Sequence, residues 1–137
     1  MFVDACALVA IIMREETAEA YGEALAATED AFTSPLAAWE AAIILAQPEK
    51  LNCSYPEMAD TLLDWLDARG IALRESSSPE NVVRFAADAA EKHGLGKRAL
   101  SNFDCFHYAH AKVAGAPLLT LDRLLRETDV ETLPPGP

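Results

Sequence analysis

Four short apolar runs, each followed by segments of helical periodicity, constrain the fold of this chain more than any other feature. The runs are Phe2 to Asp4, "AFTS" ending at Ser34, Ile71 to Leu73, and "APLLTLD" ending at Asp122. A helical pattern runs from the first of them through Ile12, and "EETAEAYGEALAAT" follows with Ala18, Tyr21 and Leu25 on one face. Ser34 reads as an N-cap with Pro35 at the first helical position, and the helix so begun ends before Pro48. The segments "SYPEMADTLLDWLDARG", "SPENVVRFAADAAEKHG" and "SNFDCFHYAHAKVAG" read as three further helices, closed by Gly70, Gly94 and Gly115. Strands alternating with helices predict βαβ units and a mainly parallel sheet, the α/β class. Such sheets take their ligands outside the carboxyl ends of the strands.

The length suits one domain with a real core, and no repeat or low-complexity segment divides it. The domain is expected to occupy residues 1–130, with residues 131–137 as a flexible Pro-rich tail. Pro134, Pro135 and Pro137 remove backbone donors there, and Gly136 adds freedom. No run approaches the roughly 18 consecutive apolar residues of a membrane span. The first apolar stretch lacks a basic leader and is interrupted by Asp4, so no signal peptide is expected. Cys6, Cys53 and Cys105 form an odd set without CxxC spacing, as expected of reduced thiols in a cytoplasm. Asp and Glu number 22 against 11 Lys and Arg, a net charge of −11. That balance argues against broad electrostatic capture of nucleic acid, but not against a nucleic-acid enzyme whose own site is acidic.

Four acids do not suit their surroundings. Asp4 stands alone among the apolar residues of "MFVDACALVAII", where an unpaired buried charge costs several kcal/mol. Glu40 is the only charged residue between Ser34 and Gln47, and Leu36, Ile43 and Ile44 put it on an apolar helix face. Asp104 lies near the amino end of its helix, and Asp122 follows a strand directly. Taken singly, Asp104 completes a capping box with Ser101, Asp122 is a solvated turn, and Glu40 pairs with an unseen base. Taken together in a parallel sheet, all four collect at one edge. Carboxylates without a His-Cys pattern indicate a hard divalent cation, Mg²⁺ or Mn²⁺, rather than zinc. Such an ion generates a nucleophilic water and stabilises in-line displacement at phosphorus. His107 and His110, three apart on one helix, read as that helix's surface or as a contact to substrate. Crowded carboxylates repel, so Asp4→Asn is expected to raise the stability of the metal-free protein.

These motifs resemble a family. "MFVDACALVAII", "SPLAAWEAAIIL", "NFDCFHYAHAKVAGAPLLTLD" and the "TDV" ending look like a PIN domain of the VapC toxin type, across essentially the whole chain. The resemblance implies a three-layer PIN-like fold and a Mg²⁺- or Mn²⁺-dependent endoribonuclease, the toxin of a VapBC-type toxin–antitoxin pair. It implies metal-site roles for Asp4, Glu40 and Asp104, with Asp122 in the fourth position. It also implies homodimerisation and a small VapB-like antitoxin that packs over helices near the acidic site. Trp39, Trp65 and Leu62 are apolar residues available for such contacts, though each read singly is core. Two departures stand out. "TLDRLL" lacks the second Asp and the Phe of the family pattern, and Ala5-Cys6 replaces a Thr-Ser pair that supplies hydroxyls beside Asp4. A thiol is a weaker donor, which favours the alternative of a catalytically weak or inactive binding module. A phospho-acceptor aspartate domain is a third reading, weakened because Cys6 occupies the place of its second Asp. "HGLGKR", with His93, Lys97 and Arg98, is the local basic patch for RNA phosphates, or an ordinary solvated loop.

Overall fold

The computed structural model describes residues 1–135. Its centre is a five-stranded, wholly parallel sheet in the order β3-β2-β1-β4-β5. The strands are β1 (Phe2–Val3), β2 (Phe32–Thr33), β3 (Ala72–Leu73), β4 (Leu118–Leu119) and β5 (Thr132–Leu133). Seven helices connect them: α1 (Ala5–Met13), α2 (Ala18–Ala26), α3 (Pro35–Leu45), α4 (Tyr55–Ala68), α5 (Pro79–His93), α6 (Asn102–Ala114) and α7 (Arg123–Arg126).

Alternation within two-residue strands is enough to build three layers. Val3 and Leu119 face one way, into a core with Leu8, Ala41, Leu45, Met58, Leu62 and Leu66 of α1, α3 and α4. Phe2, Phe32 and Leu118 face the other way, against Val82 of α5 and Cys105, Tyr108, Ala109 and Ala111 of α6. Phe2 is fully buried and meets Phe32 edge-on at 5.7 Å between ring centroids. The connections after β1 and β2 run on the first face and lead away from β1 on one side. The chain then crosses by α5 and α6 to β4 on the other side of β1. The strand order therefore reverses between β1 and β4, and the carboxyl ends of these two strands open the crevice where such sheets bind ligands.

Local signals hold these elements in place. Ser34 caps α3 by accepting from the Ala37 amide at 3.0 Å, with Pro35 in the first turn. Ser54 and Glu57 form a full capping box on α4. Gly115 ends α6 at φ 61°, in the left-handed region a side chain resists.

The structure corrects three expectations. The proline-rich end does contribute regular structure: Thr132 and Leu133 pair with β4 as an edge strand before Pro134. Proline is tolerated there because an edge strand has one side free of ladder bonds. Gly136 and Pro137, the rest of the expected tail, lie outside the described residues. Second, Trp39 is not core but 45% exposed, whereas Leu62 is buried and Trp65 packs partly buried against the core. Third, the residues after Asp122 form the short helix α7, capped by Asp122, rather than a solvated turn. Among the described residues no helix is long and apolar enough to cross a membrane.

Candidate metal centre

Asp4 is the residue between β1 and α1, with 3% exposure. It occupies the N-cap position, yet its side chain makes no capping bond. Its Oδ2 instead accepts hydrogen bonds from the Thr120 hydroxyl at 2.8 Å and the Cys6 thiol at 2.9 Å. Burial, followed by the charge of Asp4, pushes the Cys6 thiol well above its ordinary range, so it stays protonated and acts as a donor. Thr120 Oγ1 also accepts from the Asp122 amide at 3.1 Å, and the Tyr21 hydroxyl accepts from the Leu121 amide at 2.8 Å. This network ties the end of β1 to the end of β4. The hydroxyl that Ala5-Cys6 does not supply comes from Thr120, 116 positions away.

The other oxygen of Asp4 faces the middle of the crevice. His107 Nε2 lies 3.7 Å from Asp4 Oδ1 and 2.6 Å from Glu40 Oε1. One donor atom from each of Asp4, Glu40 and His107 lies within 4.8 Å of the others, a spacing that could hold a metal ion. Glu40 reaches this point from the second turn of α3, whose start is fixed by the Ser34 cap. His107 reaches it from the second turn of α6, and its ring is fully buried. The expectation of a surface histidine is therefore overturned, as is that of a substrate contact: a side chain with no exposed area touches no RNA. Burial alone would lower the pKa of His107. The hydrogen bond to Glu40 and the charges of Asp4, Glu40 and Asp104 outweigh it and hold the imidazole above its ordinary value.

Asp104 stands beside this group rather than in it. It is the third residue of α6 and forms a reciprocal capping box with Ser101, both bonds at 3.0 Å. The bland reading of Asp104 is thus correct as far as it goes, but the box engages only Oδ2. Desolvation raises its pKa first, and the charges of Asp4 and Asp122 raise it further, so the three carboxylates share one electrostatic environment. Asp122 is exposed and caps α7, its Oδ1 accepting from the amides of Leu124 and Leu125 at 2.9 and 3.1 Å. Lys97 and Arg98 are exposed in the loop leading into α6 and belong to no ion pair among the described residues. His110 is turned away from the acids and stacks on Phe2 at 5.8 Å.

The imidazole alters one further expectation. The acids do not meet as bare like charges, because His107 lies against Glu40 and near Asp4, and two donors satisfy Asp4 Oδ2. The stabilising effect of Asp4→Asn in metal-free protein is therefore no longer expected. Thr120 gives a sharper test of the network. Thr120→Val keeps shape but leaves a buried carboxylate oxygen with the thiol alone, and should lower unfolding free energy by about 1–3 kcal/mol in urea titration.

Residues 1–131 match the PIN domain family. A protein named Ribonuclease VapC from Mycolicibacterium smegmatis is 35% identical over 137 residues, covering 95% of this chain and 97% of that protein. Ribonuclease VapC3 from Pyrobaculum aerophilum is 32% identical over 127 residues, 93% of this chain and 92% of that one. Among solved structures, VapBC-1 from nontypeable Haemophilus influenzae superimposes with a TM-score of 0.66 at 15% identity, over 96% of this chain and 94% of that chain. FitAB bound to an IR36 DNA fragment superimposes with a TM-score of 0.62 at 21% identity, over 96% and 92%.

Proposed function

The chain belongs to the PIN-domain family with the VapC ribonucleases as its relatives, and from that premise we propose that it is a metal-dependent endoribonuclease, the toxin of a VapBC-type pair. The observation that carries this reading is Asp4. A buried N-cap aspartate that withholds its carboxylate from its own helix, and turns one oxygen toward Glu40 and His107, is arranged to hold a cation. The donor set fits a divalent ion, with Asp4 and Glu40 as oxygen ligands and Asp104 and Asp122 close enough for their charges to act on one another. When bound, Mg²⁺ or Mn²⁺ supplies a nucleophilic water and stabilises displacement at phosphorus. The chain's own residues do the rest. Thr120 and Cys6 fix the Asp4 carboxylate, the Ser101 box fixes Asp104, and Lys97 and Arg98 attract RNA phosphates at the same end of α6. One support of the inactive binding-module reading, beside the high acidity, was the weak donor next to Asp4, and the Thr120 hydroxyl supplies a second donor there.

The partner follows from the same premise. The solved neighbours named VapBC-1 and FitAB support a small antitoxin for this chain too, and we assign its contact to the apolar groove between α3 and α4. Pro35, Ala38, Trp39, Leu62, Leu63 and Leu73 line it, and Trp39 directly precedes Glu40. Homodimerisation and action in the cytoplasm complete the proposal.

Its test has two arms. The purified protein, free of antitoxin, should cleave RNA with Mg²⁺ or Mn²⁺ and stop on addition of EDTA. Expression alone should arrest growth of the native host, and co-expression of the small protein encoded beside it should relieve the arrest. No cleavage with either ion, together with harmless expression, would overturn the reading.

A further inference from the structure

We propose that His107 is a metal ligand, giving this centre a mixed oxygen–nitrogen donor set that favours Mn²⁺ over Mg²⁺. The inference rests on the metal-dependent reading above and concerns which ion the site selects. Three features of the ring lead to it. His107 has no exposed area, so it serves neither RNA nor a partner protein. Its Nε2 lies 2.6 Å from Glu40 Oε1 and 3.7 Å from Asp4 Oδ1. Neighbouring ligands on an ion with bonds of about 2.1 Å stand about 3 Å apart, so the two separations bracket what a shared ion requires. Nδ1, finally, is the one buried side-chain nitrogen or oxygen left without a hydrogen bond among the described residues.

With Nδ1 unpaired, Nε2 is the nitrogen whose contacts fix the ring. Core and metal-bound histidines alike nearly always satisfy both nitrogens. Here every protonation state leaves Nδ1 unmatched, in a helix whose buried neighbours are Cys105, Tyr108, Ala109 and Ala111. A cation bound at Nε2 would displace the proton that this nitrogen shares with Glu40, and that proton would leave to solvent. Phe2 and Phe103 flank the ring, with centroids at 5.8 and 6.3 Å, and hold that nitrogen toward the carboxylates. Mg²⁺ takes oxygen ligands and dehydrates reluctantly, whereas Mn²⁺, which shares its taste for carboxylates, is the first-row transition ion that accepts an imidazole nitrogen beside them. Replacing one oxygen by Nε2 therefore weakens Mg²⁺ relative to Mn²⁺.

The experiment uses full-length, RNA-free protein loaded with Mn²⁺ alone. Electron spin-echo envelope modulation should record ¹⁴N coupling from a directly bound imidazole. Competition titrations should favour Mn²⁺ over Mg²⁺, and that preference should shrink in His107→Gln, which offers an oxygen in place of the nitrogen. Bound Mn²⁺ without ¹⁴N coupling in the unmodified protein would overturn the proposal, and needs no variant to fold. In that outcome Asp4-dependent Mn²⁺ binding and RNA cleavage would survive, leaving His107 as a counter-charge for Glu40. Absence of cleavage with either ion would instead remove the ribonuclease reading itself.

Discussion

Asp4→Asn should lower metal-dependent RNA cleavage by about 100-fold or more while leaving the circular-dichroism spectrum unchanged. The size follows from what the substitution removes. Charge stabilisation by a bound ion contributes several kcal/mol to displacement at phosphorus, and each 1.36 kcal/mol is about tenfold in rate. The fold survives because asparagine has the same shape, and its single oxygen can still accept from Thr120 and Cys6 at the Oδ2 position. An NH₂ group then occupies the other position, pointing donors at Glu40 and His107 where a ligand oxygen is needed. Asp104→Asn should cut activity comparably, since asparagine can keep the bond from the Ser101 amide but not the negative charge. Cleavage by Asp4→Asn at the wild-type rate, measured with a labelled RNA, would contradict the site assignment.

Adding Mn²⁺ or Mg²⁺ to EDTA-treated protein should raise its melting temperature, and Asp4→Asn should lose most of that rise. Binding to the folded state alone at about 100 times Kd contributes about 2.7 kcal/mol. For a chain of this size that is a shift of roughly 8–11 °C. In EDTA the variant should melt no higher than the wild type, because His107 already stands between Asp4 and Glu40. Equal metal-induced shifts in the two proteins would mean that Asp4 is no ligand. A higher melting temperature for the variant in EDTA would mean that repulsion among the acids prevails over the imidazole.

What the sequence made legible was charge out of place and structure in regular alternation. Asp4 and Glu40 stood out because each breaks an apolar pattern, and the parallel sheet followed from strands alternating with helices. The Ser34 cap and the Ser101–Asp104 box were readable because capping is local. His107 was readable as a surface or substrate-contacting residue but not as a member of the acidic group. Its neighbours on α6 are a mixture of apolar and polar residues, so only the packing of α6 against the sheet reveals that its position faces Glu40. Thr120 was hidden for a related reason: a hydroxyl at the end of "PLLT" acquires meaning only once β4 lies beside β1. The strand β5 was missed because the prolines that follow it read as breakers, although they only bound an edge strand.

The bond from Thr120 to Asp4 joins positions 116 residues apart, and β1 lies between a strand made early and one made late. At roughly 5–20 residues per second, a ribosome needs about 6–23 s to synthesise the intervening chain. Through most of that interval Asp4 and Glu40 are already in place in the chain, while Asp4 lacks its hydroxyl donor and α6, with Asp104 and His107, is absent or incomplete. Nascent chains and early-termination products therefore carry Asp4 and Glu40 without the closed site, which forms only once Thr120 has been translated.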